Sequence, residues 1–302
     1  MNWCEFCLNL SSTLIGAGVG VWGAFQIYRL QVKNDTQKAK DQKISNEQDF
    51  LDYYSLLLTD FKETVVNELE NIQDFVDKQK QELSEVKNIY STPKESFVRL
   101  KTIDHSQLFN AWSDLITDKD KILKYRRLQT TIDFIREKFD EIDGIYERTG
   151  SIVMNYLNHL NTNMLMFVSH LDSFLIEYQK SNNIAGNINY IEVTQLFEKH
   201  LKQRQNIIQK ETRENHQTYT EIKQEFLEPL RKNFAAWIEV PSPLIELLAS
   251  IMNDLQQIEL QIKDMLCIMI ISQKEIEKYL PDIEEYFKLT KVYKLSKTQN
   301  ES

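Results

Sequence analysis

From Ser45 onward, hydrophobic residues step along the chain by threes and fours. Phe50, Tyr54, Leu57, Phe61, Val65, Leu69, Ile72, Leu83, Val86 and Tyr90 share one helical face, with Phe75 or Val76 completing the series. That spacing predicts one long amphipathic helix, with Pro93 ending it or beginning the next. Further helical runs are predicted over 94–117, 119–146 and 151–180, with the Gly144 to Gly150 region closing the second of them. The 151–180 run carries Met154, Leu157, Leu160, Met164, Leu165, Phe167, Leu171, Phe174 and Leu175, a breadth that predicts burial on more than one side. SNNIAGNINY at 181–190 predicts a hinge, because Asn and Gly supply turn chemistry. Residues 191–227 read as a long polar helix, followed by a short amphipathic piece with Phe234, Trp237 and Ile238. A last long helix is predicted over 243–278, with Pro281 opening a short terminal one. No stretch alternates with period two, so the expected fold is all-α: an elongated bundle of long helices with coiled-coil character.

The amino-terminal pattern is different. No charge interrupts Phe6 to Tyr28, a run that at about 1.5 Å per residue covers a hydrocarbon core of about 30 Å. Asn9, Ser11, Ser12, Thr13 and Gln26 dilute its apolarity. No Lys or Arg precedes it, which argues against a cleaved signal peptide. Arg29, Lys33, Lys38, Lys40 and Lys43 follow it, against Asp35 and Asp41, and the positive-inside rule then places the body in the cytoplasm. Gly16, Gly18, Gly20 and Gly23 fall in LIGAGVGVWGAF, although glycine disfavours helix in water by on the order of 1 kcal/mol. In lipid, Ser12, Gly16, Gly20 and Ala24 form a ridge of small residues at every fourth position, suited to close helix–helix packing. Gly18 and Gly23 lie off that ridge. The expected map is a transmembrane anchor at 1–30, a basic juxtamembrane linker at 31–44, a helical cytoplasmic domain at 45–295 and a disordered tail at 296–302.

Composition narrows the function classes. Seven Gly and five Pro in 302 residues favour long helices over many turns. A net charge of −9 argues against nucleic acid as a partner, since phosphate contacts need clustered Lys and Arg. Three cysteines make no disulfide framework, and Cys267, in the apolar run MLCIMIIS, is expected to be a buried free thiol. Cys4 and Cys7 have CxxC spacing, but no second pair completes a zinc site. Asp254, Glu259, Lys263 and Asp264 exclude a second span near 265–272. Glu275 with Glu277 and Glu284 with Glu285 fit a solvated helix face better than a metal site. HExxH, P-loop, GxGxxG and nucleophile-elbow motifs are absent. No cofactor and no metal are expected.

RLKTIDH, Arg99 to His105, resembles the Arg and His motif of HEPN-type ribonucleases, with Leu100 where a polar residue is usual. The resemblance implies His105 as general base and Arg99 as stabiliser of the phosphorane charge. A broader likeness is one of layout. An amino-terminal membrane helix, a basic stretch and a helical body containing FNAWSDLITDKDKILKYRRLQTTIDFI, within Leu108 to Ile135, resembles bacterial membrane-anchored helical proteins of phage defence and abortive infection. That likeness implies a non-enzymatic effector or sensor at the inner membrane, single-pass and homo-oligomeric, which perturbs the bilayer. The implied partners are the lipid bilayer, further copies of the chain and a cytoplasmic protein. The alternatives are a membrane-tethered HEPN-like ribonuclease and a non-catalytic scaffold.

Overall fold

The computed structural model describes the backbone of residues 3–92, 94–181, 186–209 and 218–300, and the side chains of 19–92, 94–181, 186–203 and 218–287. Among the described residues the chain is helical and contains no strand, so the all-α expectation holds. The helices are α1 (Trp3–Gln81), α2 (Glu95–Thr102), α3 (His105–Leu115), α4 (Lys121–Ser181), α5 (Ile188–Gln209), α6 (Tyr219–Ile222), α7 (Glu228–Ala236) and α8 (Ser242–Asn300). Among the described residues, no helix is long and apolar enough to cross a membrane; the first part of the expected span, up to residue 18, lies outside the described side chains.

Several boundaries differ from the pattern-based ones. The stretch 31–44, expected as a linker, is helical and continuous with both sides of α1. At its far end α1 stops at Gln81, well short of Pro93. The reason lies in competing hydrogen bonds. The Gln79 side chain donates to the carbonyls of Glu82 (2.5 Å) and Glu85 (2.7 Å) and accepts from the Lys87 N–H (2.8 Å). Glu68 accepts from the Ser91 hydroxyl at 2.9 Å and the Thr92 N–H at 2.7 Å. These side chains satisfy backbone groups that a helix would otherwise pair. Residues 94–117 form two helices rather than one, because the Asp104 carboxylate caps α3 by accepting from the N–H groups of Ser106 and Gln107.

Gly144 and Gly150 do not close a helix; both lie inside α4, which merges the two expected runs. Buried Ile142, Thr149 and Val153 hold the helix through them. The apolar breadth of 151–180 does not translate into burial on several sides. Leu160, Phe167, Leu171 and Leu175 are buried, whereas Met154, Leu165, Met166 and Ile176 are exposed. The expected helix 191–227 is interrupted. α5 is described as far as Gln209, and a new helix, α6, starts at a capping box in which Thr218 and Glu221 bond each other's backbone N–H. A π-helical turn, Lys223–Leu227, then leads into α7. Pro229, near the start of α7, has no N–H to donate back to this turn. Pro281 lies within α8 instead of opening a separate helix. Cys267 is exposed, against the expectation of burial, because it faces away from Met265, Leu266 and Met269.

The chain divides into two compact units. One comprises 1–62, 94–130 and 282–302, the other 63–93 and 131–281. In the first, Trp112 is fully buried with its ring 5.9 Å from those of Tyr125 and Tyr286, and its Nε1–H donates to the Lys121 carbonyl at 2.8 Å. Tyr54, Phe61, Phe97, Leu108 and Leu128 complete that core. Polar ties surround it: Lys62 meets Glu284 at 2.7 Å, and Arg127 holds Asp282 through two nitrogens at 2.8 and 3.2 Å. In the second unit, Phe167, Phe226, Leu230, Phe234, Trp237 and Leu248 belong to one hydrophobic cluster joining α4, the π turn, α7 and α8.

Candidate functional site

Two features of the described residues have a composition and exposure that packing alone does not explain. The first is the beginning of α1. From Val19 to Asn46 its side chains are exposed, with Gly23 and Gln26 intermediate, and burial begins at Glu47. Trp22 is 65% exposed, Phe25 58% and Ile27 60%, and Val19, Val21, Tyr28 and Leu30 are comparably open. Nothing lies within 4 Å of where a Cβ would stand on Gly20 or Gly23, and Ala24 is exposed. Ser12 and Gly16, the other members of the small-residue ridge, lie outside the described side chains, as do Cys4 and Cys7.

The basic residues sit where this open helix meets the first unit. Arg29, Lys33, Lys38 and Lys40 are all exposed. Lys43 bonds Asp114 at 2.9 Å and Glu47 at 3.3 Å. The hydrogen bond from Lys43 to Asp114, then that to Glu47, holds its ammonium above the ordinary lysine range.

The second feature is an open groove of about 440 Å³ in the second unit, lined by Ile152, Asn155, Tyr156, His159 and Asp254. α4 supplies the first four residues at helical spacing, and α8 supplies the carboxylate. Asp254 is buried, while the His159 side chain is 59% exposed, and the two meet at 2.7 Å between Nδ1 and Oδ2. A hydrogen bond from the imidazole to the carboxylate there uses an Nδ1–H donor, and Nε2 lies 3.4 Å from the Asn163 amide nitrogen. The buried Asn163 amide lies 3.3 Å from Nδ1 and donates to the Ser250 hydroxyl at 3.2 Å. Such a buried acid behind an open imidazole can fix the orientation of the ring. No serine, threonine or cysteine lines the groove.

Arg99 and His105 stand on successive helices, and both are exposed. Arg99 pairs with Glu95 at 3.0 Å along α2, and no hydrogen bond or ion pair joins it to His105. Glu275 is held by Lys138 at 2.8 Å, Glu284 by Lys62, and Glu285 lies 3.7 Å from Lys124. Among the described residues, no group of three or more His, Cys, Asp or Glu is arranged to hold a metal ion.

Sequence reading missed the buried acids. Besides Asp254, the Glu82 carboxylate is buried and accepts from the Ser84 N–H (3.0 Å), the Ser84 hydroxyl and the Thr220 hydroxyl (2.9 Å). Burial pushes its pKa up, but the combined bonds from Ser84, Thr220 and Thr218 outweigh that and hold it below the usual glutamate value. The T-x-x-E at 218–221 was a readable signal for the helix start; nothing in the local sequence marks Glu82 or Asp254 as buried. No protein family, curated protein or solved structure matches the chain.

Proposed function

We propose that this protein is a membrane-anchored helical effector or sensor of bacterial antiphage defence, single-pass in the inner membrane, which acts by oligomerising and perturbing the bilayer. The observation that supports this reading is the open apolar segment near the start of α1, exposed all round the helix. Trp22, Phe25, Ile27, Tyr28 and Leu30 have no protein cover, and exposed apolar surface of this extent marks an interaction site. Burying one such side chain is worth roughly 1.5–3 kcal/mol, so a bilayer around this segment would retain the protein firmly. The helix then continues unbroken into the first unit, so the anchor and that unit share one continuous element. In this reading the ridge of Ser12, Gly16, Gly20 and Ala24 is the contact between copies, close packing of small residues being the main attraction between helices in lipid.

Dye leakage from vesicles, or membrane potential in expressing cells, tests the reading. The protein is expected to release dye, and Gly16→Leu with Gly20→Leu is expected to abolish release while leaving vesicle flotation intact. Equal leakage from both would overturn assembly through the ridge. His105→Ala serves as the control for ribonuclease chemistry: toxicity lost with that variant and accompanied by RNA cleavage in the wild type would replace the membrane reading.

A further inference from the structure

Basic residues at the start of α1 are not scattered around the helix. At about 100° per residue, Arg29, Lys33, Lys40 and Lys43 fall within about 40° of a single line, stepping by four, seven and three. Thr36 occupies the remaining position on that line, with its hydroxyl turned back to the Val32 carbonyl at 2.6 Å. Asp35 and Asp41 lie off the row to either side, and Lys38 lies opposite it. Eighteen residues make about five full turns, so Glu47 comes directly under Arg29. Glu47 opens the buried seam of the same helix, which continues through Leu51, Tyr54, Leu58 and Phe61. The cationic row is therefore the upward continuation of the face on which the first unit packs.

Lys43, the lowest member, is satisfied by Asp114 and Glu47. Arg29, Lys33 and Lys40 are exposed and make no ion pair or hydrogen bond among the described residues. Three unpaired cations in a row, next to the open apolar segment, call for an anionic surface that lies alongside the helix. A helix leaving a bilayer upright would meet headgroups equally on every side and would need no one-sided row. A helix that leans over the surface needs its charges on the lower side.

Resting on the membrane-anchored reading above, we infer that the row of Arg29, Lys33 and Lys40 binds anionic phospholipid headgroups and tilts α1 so that this face turns toward the bilayer. Each lysine or arginine near an anionic surface tightens association with that surface by roughly fivefold, an attraction that fades within a Debye length of about 10 Å. Arg29 and Lys33 reach the headgroup layer in either orientation. Lys40, about 16 Å further along the axis, reaches it only in the leaning one.

The test uses the full chain in phosphatidylcholine vesicles that contain a fixed fraction of either brominated phosphatidylglycerol or brominated phosphatidylcholine. Bromine quenches the fluorescence of Trp3, just before the uncharged run, and of Trp22, within it, while Trp112 and Trp237 are buried in the two cores. The wild type is expected to be quenched about twofold more by the brominated anionic lipid. Arg29→Gln with Lys33→Gln and Lys40→Gln is expected to be quenched equally by both lipids. Lys40→Gln alone is expected to reduce the preference, and Lys38→Gln to leave it. Equal quenching of the wild type by both lipids would overturn the headgroup site while keeping the anchor. Equal losses from Lys38→Gln and Lys40→Gln would overturn the one-sided geometry, and no quenching by either lipid would overturn the anchor itself.

Discussion

At the scale of single residues, two buried acids of the second unit, Asp254 and Glu82, lead to distinct expectations. Asp254 is buried and meets an imidazole from another helix. Truncating His159 leaves that buried carboxylate without its hydrogen-bond partner, which costs roughly 1–3 kcal/mol, whereas Asp254→Asn removes the charge along with the need for compensation. Thermal or urea unfolding should therefore show His159→Ala as the more destabilising change, with the double variant closer to Asp254→Asn than the sum of the two. Glu82 yields a pH dependence. Its folded pKa is depressed below the ordinary value of 4.5, so its contribution is complete above that pH and is lost as the pH falls through the lower folded value. Glu82→Gln should flatten the acid limb of the stability curve below about pH 4.5 and leave the limb above pH 7 unchanged. Neither acid could be read from sequence, since their burial comes from partners far along the chain: Thr220 for Glu82 and His159 for Asp254.

Among the elements, α4 shows how tertiary packing overrides a local preference. Two glycines that looked like a break are carried inside one helix of 61 residues. Around neither would an added Cβ meet another atom within 4 Å, so their absence of a side chain serves no contact. Gly144→Ala and Gly150→Ala should each raise unfolding stability by about 0.5–1 kcal/mol, measured by denaturant midpoint at unchanged slope. Helical periodicity was legible because it depends only on residue type and spacing: the series from Phe50 to Val76 reproduces the buried face of α1 at Tyr54, Leu57, Phe61, Val65, Leu69 and Ile72. Helix ends were less legible. The stop at Gln81 depends on the carboxamide of Gln79 and the carboxylate of Glu68 reaching a segment that follows in the chain, and those residue types suit a helix interior equally well. At Pro281 the proline signal pointed to a new helix, yet packing of Ile276 and Ile283 on either side keeps one helix running through.

For the molecule as a whole, α1, α4 and α8 each contribute residues to both compact units. Partition of this kind was not legible from linkers, because the divisions at 62/63, 130/131 and 281/282 fall within helices and only that at 93/94 falls between them. The candidate site was legible in part. The charges after Tyr28 stood out as a basic stretch, but the row among them emerges only once residues 31–44 are seen to be helical and in phase with the buried seam below.

That phase relation has a mechanical meaning. Between Tyr28 and Glu47 the chain contains neither glycine nor proline, so it has no joint at which to absorb a twist. If the seam of Leu51, Tyr54 and Leu58 repacked by one residue, every side chain above it would swing by about 100° with it. The protein would then work as a key in a lock, turned from the packed end: a change in how α1 seats in the first unit would be delivered to Trp22 and Phe25 as rotation, with only about 1.5 Å of axial movement.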